Sequence, residues 1–556
     1  MFVRTVHQSN GKVSILIVEN IRQSGKVHQK KLRQVATVLP EEVERFKEVA
    51  EYIKAEMEQE RQPKLFSSQT LAEMVIFSRK SSNEDSPLPV NLSKLREEHR
   101  IVTGIHDIYG GLYDEIGISQ LFKTCPVSQS VMKDIVMARL AKPCSKRSSC
   151  ELLERDFGIT ISLEKIYRMM DRLTEDRLNQ IQDKCWHHTR ELFTEDIKIM
   201  FYDCTTLYFE SFTEDELRSF GYSKDHKFNQ GQILLALMVT KEGLPVGYDV
   251  FPGNMSEGKT FKQAVEKIKS RYGVKRAIIV ADSGLLSKEN IDFLVKENFE
   301  YILGARLRSL SDPWQEKILS HTDYKKLKKE EEVLRIATHQ YAKNRTLIVT
   351  HSTKRADKDR KDRDKAIEKL KQKLEKSKNP ESLISNYGYK KYIVVDGEVQ
   401  VRIDEEKLAK EALWDGLHGV FTNIKEKEMP VEEILSQYHG LWQVEDSFRI
   451  NKHDLRMRPI FHWTANRIKA HIGICFVAFA LIRFLQHRIL QQKKESFSAD
   501  RIREELYRIQ ESILRDRNNN NRYVVPSKPS EDAIKIYEAM NKKRHVVPFK
   551  LNTTKK

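Results

Sequence analysis

The chain opens on two runs rich in β-branched residues, "KVSILIVENIR" and "KVHQKKLRQVATV", separated by Ser24-Gly25, a pair suited to a tight turn. They predict a β-hairpin. In the second run Lys, Gln and Arg alternate with apolar residues, so one face would be basic. Pro40 then opens a charged helical pattern, "EEVERFKEVAEYIKAEMEQE", and Ser, Asn and Pro over about 65–95 read as a linker. From about 96 to 195 the periodicity is helical. Within it "MARLAKPCSKRSSCELLERDFGITISLEKIYRMMDRL" divides into two or three short helices, broken at Gly158 and restarted by Ser162 as a cap before Leu163.

At residue 198 the period changes from helix to strand. "IKIMFYDCTTLYFE", "QILLALMVTKEG" and "LPVGYDVFPGN" are apolar or alternating runs, with turns at Lys241-Glu242-Gly243 and Pro252-Gly253. A helix ("KTFKQAVEKIKSRY"), a buried strand ("AIIVADSGL"), a helix ("SKENIDFLVKE") and a strand ("YILGAR") follow, which predicts a mixed α/β core. Residues 306–410 interrupt that core with strands "VLRIAT", "RTLIVTHS" and "KYIVVD" and a charged helix, "KRADKDRKDRDKAIEKLKQKLEK". Its alternating charges and narrow seam of Ile367, Leu370 and Leu374 describe a solvated helix. The core resumes at "GLHGVFTN". The most apolar run, "IGICFVAFALI", is 11 residues long, short of a membrane span, and predicts a buried helix. No signal-peptide pattern is visible in "MFVRTVHQSN".

A length of 556 residues exceeds one compact core, so two to four domains are expected, and 39% hydrophobic content supports sizeable cores. Lys plus Arg exceed Asp plus Glu by 97 − 80 = 17, and the pI is about 9.3. That balance suits a polyanionic partner, nucleic acid first, with an ordinary basic enzyme as the plain alternative. Lys146, Arg147, Lys165 and Arg168 on the short helices could seat a recognition helix in a DNA groove, or be the scattered cations of any helical bundle. The six cysteines form no C-x2-C pair, so structural zinc is not expected, and Cys185-Trp186-His187-His188 reads as a helix face. Scattered thiols suit a reducing cytoplasm.

In "YHGLWQVEDSFRINKHDL", Tyr438 to Leu455, a helical period sets Tyr438, Leu441, Trp442, Glu445, Phe448, Arg449 and Lys452 on one face. Glu445 falls near its centre. Burying an unpaired carboxylate is costly, so the stripe predicts either a neutralising partner or a site. Two more acids have unusual settings. Asp203 interrupts the apolar strand "IMFYDCTTLYF", and Asp282 ends the strand "AIIVADSG", where Gly284 allows a tight exit. Each alone reads equally well as a turn cap. Converging, the three would repel one another unless hard divalent cations such as Mg²⁺ intervened. Two such ions ~3.5–4 Å apart would clamp an in-line phosphoryl displacement.

With these residues in place, the chain resembles bacterial insertion-sequence transposases of the DDE type. That family's last-acid signature is Y-x2-R-x3-E-x6-K, and here Tyr438, Glu445 and Lys452 stand at its spacing with Leu441 in the Arg place. "GYSKDHKFNQGQILLALMV", "VFPGN" followed by Thr260, and "RPIFHW…RIKAHI" are similar to one subgroup. The resemblance covers about 198–485, and the N-terminal third more loosely. It implies an α/β, ribonuclease-H-like mixed-sheet core interrupted by a β-rich insertion, with an N-terminal α+β and helical DNA-binding region. It also implies that Asp203, Asp282 and Glu445 bind two catalytic Mg²⁺ ions, replaceable by Mn²⁺, and that Tyr438 and Lys452 contact the transposon end. Arg449, one turn from Glu445, would supply the contact that Leu441 lacks. Lys224 and His226 of "GYSKDH" are further DNA-contact candidates, or parts of an ordinary polar loop.

The expected organisation is a hairpin and helix over 1–95, a helical end-binding region over 96–197, core segments over 198–305 and 411–490 around the 306–410 insertion, and a helical basic tail over 491–556. The tail's last stretch, "NKKRHVVPFKLNTTKK", carries six Lys/Arg and would touch DNA backbone or fray. The expected activity is binding of the element's ends in double-stranded DNA, metal-dependent cleavage, and joining of the 3′-hydroxyls to target DNA. A homodimer in the synaptic complex, a bacterial cytoplasmic location and no membrane partner go with it. The competing readings are a metal-dependent nuclease without strand transfer and a DNA-binding protein that has lost catalysis.

Overall fold

The structure is a computed structural model. It describes residues 1–551 except 10, 24–25, 62–89, 194–198, 211–212, 222–229, 273–276, 321, 330–331, 377–391 and 397–399. The N-terminal hairpin is present as β2 (Val13–Gln23) and β3 (Lys26–Val38), and β1 (Phe2–His7) adds to the free edge of β2, so the unit has three strands. The Val43–Arg61 helix packs on it through Ala50, against Ile15 and Val38.

Residues 95–102, expected to be helical, instead form the strand β4 (Leu95–Val102). Helices then run Gly104–Glu115, Pro126–Ala141, Lys146–Phe157, Leu163–Asp171 and Glu175–Glu191. Gly158 ends the third at a left-handed φ of 65°, and Ser162 caps the fourth by accepting from the Lys165 N–H.

The core sheet contains β5 (Ile199–Tyr208), β6 (Gln232–Thr240), β7 (Pro245–Pro252), β8 (Ile278–Ala281) and β9 (Glu300–Ala305) in the order β7-β6-β5-β8-β9. β5, β8 and β9 pair in parallel, while β6 pairs antiparallel with both β5 and β7. This is the ribonuclease-H-like arrangement. The apolar runs dictate it: all nine residues of β6 are buried, as a strand covered on both faces requires.

The insertion is not a separate body. β10 (Lys325–Lys329), β11 (Glu332–Ala342) and β12 (Arg345–Ser352) reach the core through β15 (Leu417–Thr422), which pairs with β9, so the whole forms one nine-stranded sheet. β13 (Ile393–Asp396) and β14 (Gln400–Ile403) pair separately. The charged helix spans Thr353–Lys376, with Leu370 buried.

The C-terminal segment is not a helical tail. Helices Ala499–Arg508 and Glu531–Ala539 alternate with β16 (Gln510–Asp516), β17 (Arg522–Pro526) and β18 (Phe549–Lys550), in a sheet ordered β18-β17-β16-β4. Leu551 is buried there, so the chain is packed up to that residue. β4 is a strand because its pairing partner, β16, lies some four hundred positions later.

The Ala465–Lys493 helix ties these parts together. It is long and apolar enough to cross a membrane by length and composition, yet 94% of its most apolar window is buried inside the fold. Its side chains join the 104–191 helices to one face of the core sheet.

Burial also corrects the DNA-groove reading of one cation. Lys146 is 5% exposed, its Nζ 3.4 Å from His471 Nδ1, and burial beside the Arg139 guanidinium pushes its ammonium down to about 7. A side chain so enclosed cannot reach a phosphate. Between pH 7 and the unfolded value of 10.5 the unfolded chain binds the extra proton, so stability rises with pH across that window. Lys146→Met is expected to flatten this slope and to leave the fold, at neutral pH, within about 1 kcal/mol of the parent or more stable. Denaturant melts at pH 7 and pH 10 check it. A slope unchanged by the substitution would refute the assignment.

Candidate active site

β5 and β8 are parallel neighbours with Tyr202 opposite Ala281, so Asp203 and Asp282 occupy the next position on each chain. Alternation sets the face. Phe201 and Leu207 of β5 and Ile278 and Val280 of β8 join the core of the long helix, whereas Tyr202, Cys204, Ile279 and Ala281 face the opposite core. Asp203 and Asp282 share parity with the first set. Both acids therefore stand side by side where the sheet meets the segment carrying Glu445. Asp203 is half-buried and its Oδ1 accepts from the Cys204 N–H at 2.7 Å. Asp282 is exposed and caps the following turn, Oδ1 accepting from the Ser283 N–H at 2.6 Å.

The single helix expected over Tyr438–Leu455 is broken. One helix, Val431–His439, ends at Gly440; a second runs Trp442–Arg449, and Ile450–Asp454 continues as a wider π turn. Gly440 is required by close approach: a Cβ there would lie 2.6 Å from Phe201 Cζ, on β5 two residues before Asp203. The break also rotates the expected stripe. Trp442 is 56% exposed, Glu445 and Arg449 are exposed, and the buried face is Val444, Ser447 and Phe448. Glu445 thus lies on the open side of its helix, not in the middle of a buried apolar face.

Tyr438 links the pieces. Its hydroxyl donates to Asp282 Oδ1 at 3.4 Å, and burial, then the Asp282 carboxylate and more weakly Glu445, push its phenol up. It fits because residue 304 of β9 is glycine: a Cβ there would sit 2.4 Å from Tyr438 Oη and 3.3 Å from Asp282 Oδ1. His418 of β15 packs on the Tyr438 ring at 5.1 Å between centroids. Burial, with Arg355 and His439 nearby, pushes His418 down to about 4, so it is neutral at pH 7.

Of the other sequence candidates, Arg449 is paired with Asp446 at 2.9 Å and Asp454 at 3.2 Å, and Lys452 is half-buried in the π turn. Lys224 and His226 lie outside the described residues. Sequence reasoning missed Arg483. Its guanidinium, 9% exposed, bonds Asp446 (3.1 Å), Gln443 Oε1 (3.2 Å) and the Gly243 carbonyl (3.0 Å), which pins the Glu445 helix to the long helix. One cation inside the run "FVAFALIRFL" was the available signal. Gly304 and His418 gave none, because each matters only through a neighbour distant in sequence.

Among the described residues no three His, Cys, Asp or Glu side chains gather tightly enough to enclose an ion by themselves. The donors nevertheless fit a hard cation. Asp203 and Asp282 present carboxylate oxygens from neighbouring chain segments, and both hydrogen bonds to Asp282 fall on Oδ1. Mg²⁺ characteristically takes one or two carboxylates and completes its shell with waters and substrate phosphates, for which a half-open pair is suited.

A family model described as the transposase DDE domain matches residues 194–481, more than half of the chain. A search of curated proteins finds no match. Among solved structures, a piggyBac transposase synaptic complex with hairpin DNA aligns over 73% of this chain and 76% of its own at 10% identity and a TM-score of 0.37. A pre-cleavage Mos1 transpososome aligns over 28% and 54% at 12% identity and a TM-score of 0.14. At these scores the overlap is partial.

Proposed function

The chain belongs to the DDE transposase family, and from that membership we propose that Asp203, Asp282 and Glu445 are the acids that hold its divalent ions, Mg²⁺ first and Mn²⁺ as substitute. Family membership makes it a DNA transposase, an enzyme dependent on divalent metal. The observation that carries the site assignment is the side-by-side placement of Asp203 and Asp282 on the face covered by the Glu445 segment.

Two ions held there would supply an activated water or 3′-hydroxyl and stabilise the leaving oxygen of an in-line displacement. The chain's own residues set the geometry. The Ser283 N–H and Tyr438 hydroxyl fix the orientation of the Asp282 carboxylate, and Arg483 fixes the helix of Glu445. Neutral His418 behind Tyr438 adds no charge of its own. Lys452, Arg449 and Tyr438 are proposed contacts to the element's end, together with Lys224 and His226. Joining of the ends to target DNA, a homodimeric synaptic complex and a bacterial cytoplasmic location complete the proposal.

The test is cleavage of DNA carrying the gene's own flanks, with Mg²⁺ and then with Ca²⁺. Cuts at the element boundary with Mg²⁺, joined products when target DNA is added, and binding without cutting in Ca²⁺ are expected. Cuts without end preference or joining would make the protein a nuclease. Binding that never leads to cutting would make it a silent binder.

A further inference from the structure

Next to the acids the structure opens a cleft of about 350 Å³ between β9, β15 and the Thr353–Lys376 helix, with Arg308, Arg355 and His418 in its walls. It begins where the site ends. Ala305, in its wall, follows Gly304, and His418 serves both as cleft wall and as the ring packed, tilted, against Tyr438.

The helix carrying Arg355 is clamped to this place. Ser352 Oγ accepts the Arg355 N–H at 3.1 Å. Gly416, at a left-handed φ of 76°, lets the helix come close, since a Cβ there would lie 2.8 Å from Ala356 Cβ. The Asp359 carboxylate takes the Gly416 N–H at 3.0 Å, and Arg363 holds Asp415 in a bidentate pair at 2.5 and 2.7 Å.

Against that fixed backbone the Arg355 head is open. Its side chain is 59% exposed, and its ion pair with Asp359 is long, 3.9 Å, to a carboxylate already engaged by Gly416. Of the other cations lining the cleft, Arg363 is held by Asp415, and Arg308 reaches Glu411 at 3.5 Å. Position 441, where the signature has Arg, holds a Leu packed against the core. DNA brought to Asp282 adds phosphate charge beside the carboxylates, and Arg355 lines the same cleft as His418, whose ring packs against Tyr438. A planar guanidinium on a preset backbone is suited to a bidentate phosphate contact.

We propose that Arg355, delivered by the insertion, binds the DNA phosphate adjoining the bond that is cut and so positions the strand at Asp282. The proposal rests on the assignment of Asp282 to the cleavage centre.

The experiment combines Arg355→Ala and Arg355→Lys with end DNA in which single phosphates near the boundary are replaced by neutral methylphosphonates. Arg355→Ala is expected to slow single-turnover cleavage about 10- to 100-fold, the worth of one charge-assisted contact, and Arg355→Lys to recover part of it. One methylphosphonate should slow the parent comparably and leave Arg355→Ala almost unaffected. A structural role cannot produce that coupling at a single phosphate. Independent losses at every position, with an active parent, would overturn the Arg355 proposal alone. A parent that binds and cuts no end DNA would overturn the site reading itself.

Discussion

Asp282→Asn is expected to remove end cleavage while leaving end binding within a few-fold. The carboxylate is exposed at a strand end and its structural duty is to cap one turn through Oδ1. Asn caps equally well, so the fold should lose no more than about 1 kcal/mol. What Asn lacks is the negative charge that a hard cation needs. Metal stabilisation of a phosphoryl transition state is worth several kcal/mol, and each ~1.4 kcal/mol is tenfold in rate, so a loss on the order of 1,000-fold or more follows. Glu445→Gln should lose as much, and the double variant little further, because residues acting on one site are not additive. Single-turnover cleavage, end binding in Ca²⁺ and a thermal melt separate the outcomes. Full cleavage by either single variant would remove that acid from the site, and a collapsed melt would return it to a structural role.

The sheet was legible where a strand announces itself locally. The apolar runs gave β5 to β9 nearly residue for residue, and the two acids stood out because each interrupted or ended such a run. Pairings across long separations left no local trace. β4 reads as polar helix until β16 is placed beside it, and the C-terminal strands suffer the same blindness from the other side. The insertion's strands were visible, but their continuity with the core sheet through β15 was not, since edge-to-edge pairing has no sequence period. Glu445 was found by an argument that the structure revises. The stripe assumed one straight helix, and Gly440 breaks it, turning Trp442 and Glu445 outward. A glycine between two helical stretches signals an interruption, yet the reason for this one is Phe201, more than two hundred residues away.

That same dependence on distant partners makes Gly304→Ala a small change with a large expected effect on the site. The position has no unusual backbone angle among the positive-φ glycines, so the demand is for space alone. An added methyl would lie 2.4 Å from Tyr438 Oη and 2.9 Å from the Ser283 backbone nitrogen. Tyr438 has no easy retreat, with His418 packed against its ring, and Ser283 belongs to the turn that Asp282 caps. Overpacking of this kind costs about 1–3 kcal/mol of stability, which leaves a folded protein with a lower melting temperature. The larger effect is on rate. Moving the hydroxyl off Asp282 Oδ1, or the turn with it, misplaces a carboxylate by a fraction of an ångström to an ångström, and misplacement on that scale costs roughly 100-fold. Tyr438→Phe in the Gly304→Ala background discriminates between the two routes. If the clash acts through the tyrosine hydroxyl, removing that oxygen should restore stability and part of the rate. If it acts through Ser283, the second substitution changes neither, and the tyrosine is then a bystander to the placement of Asp282.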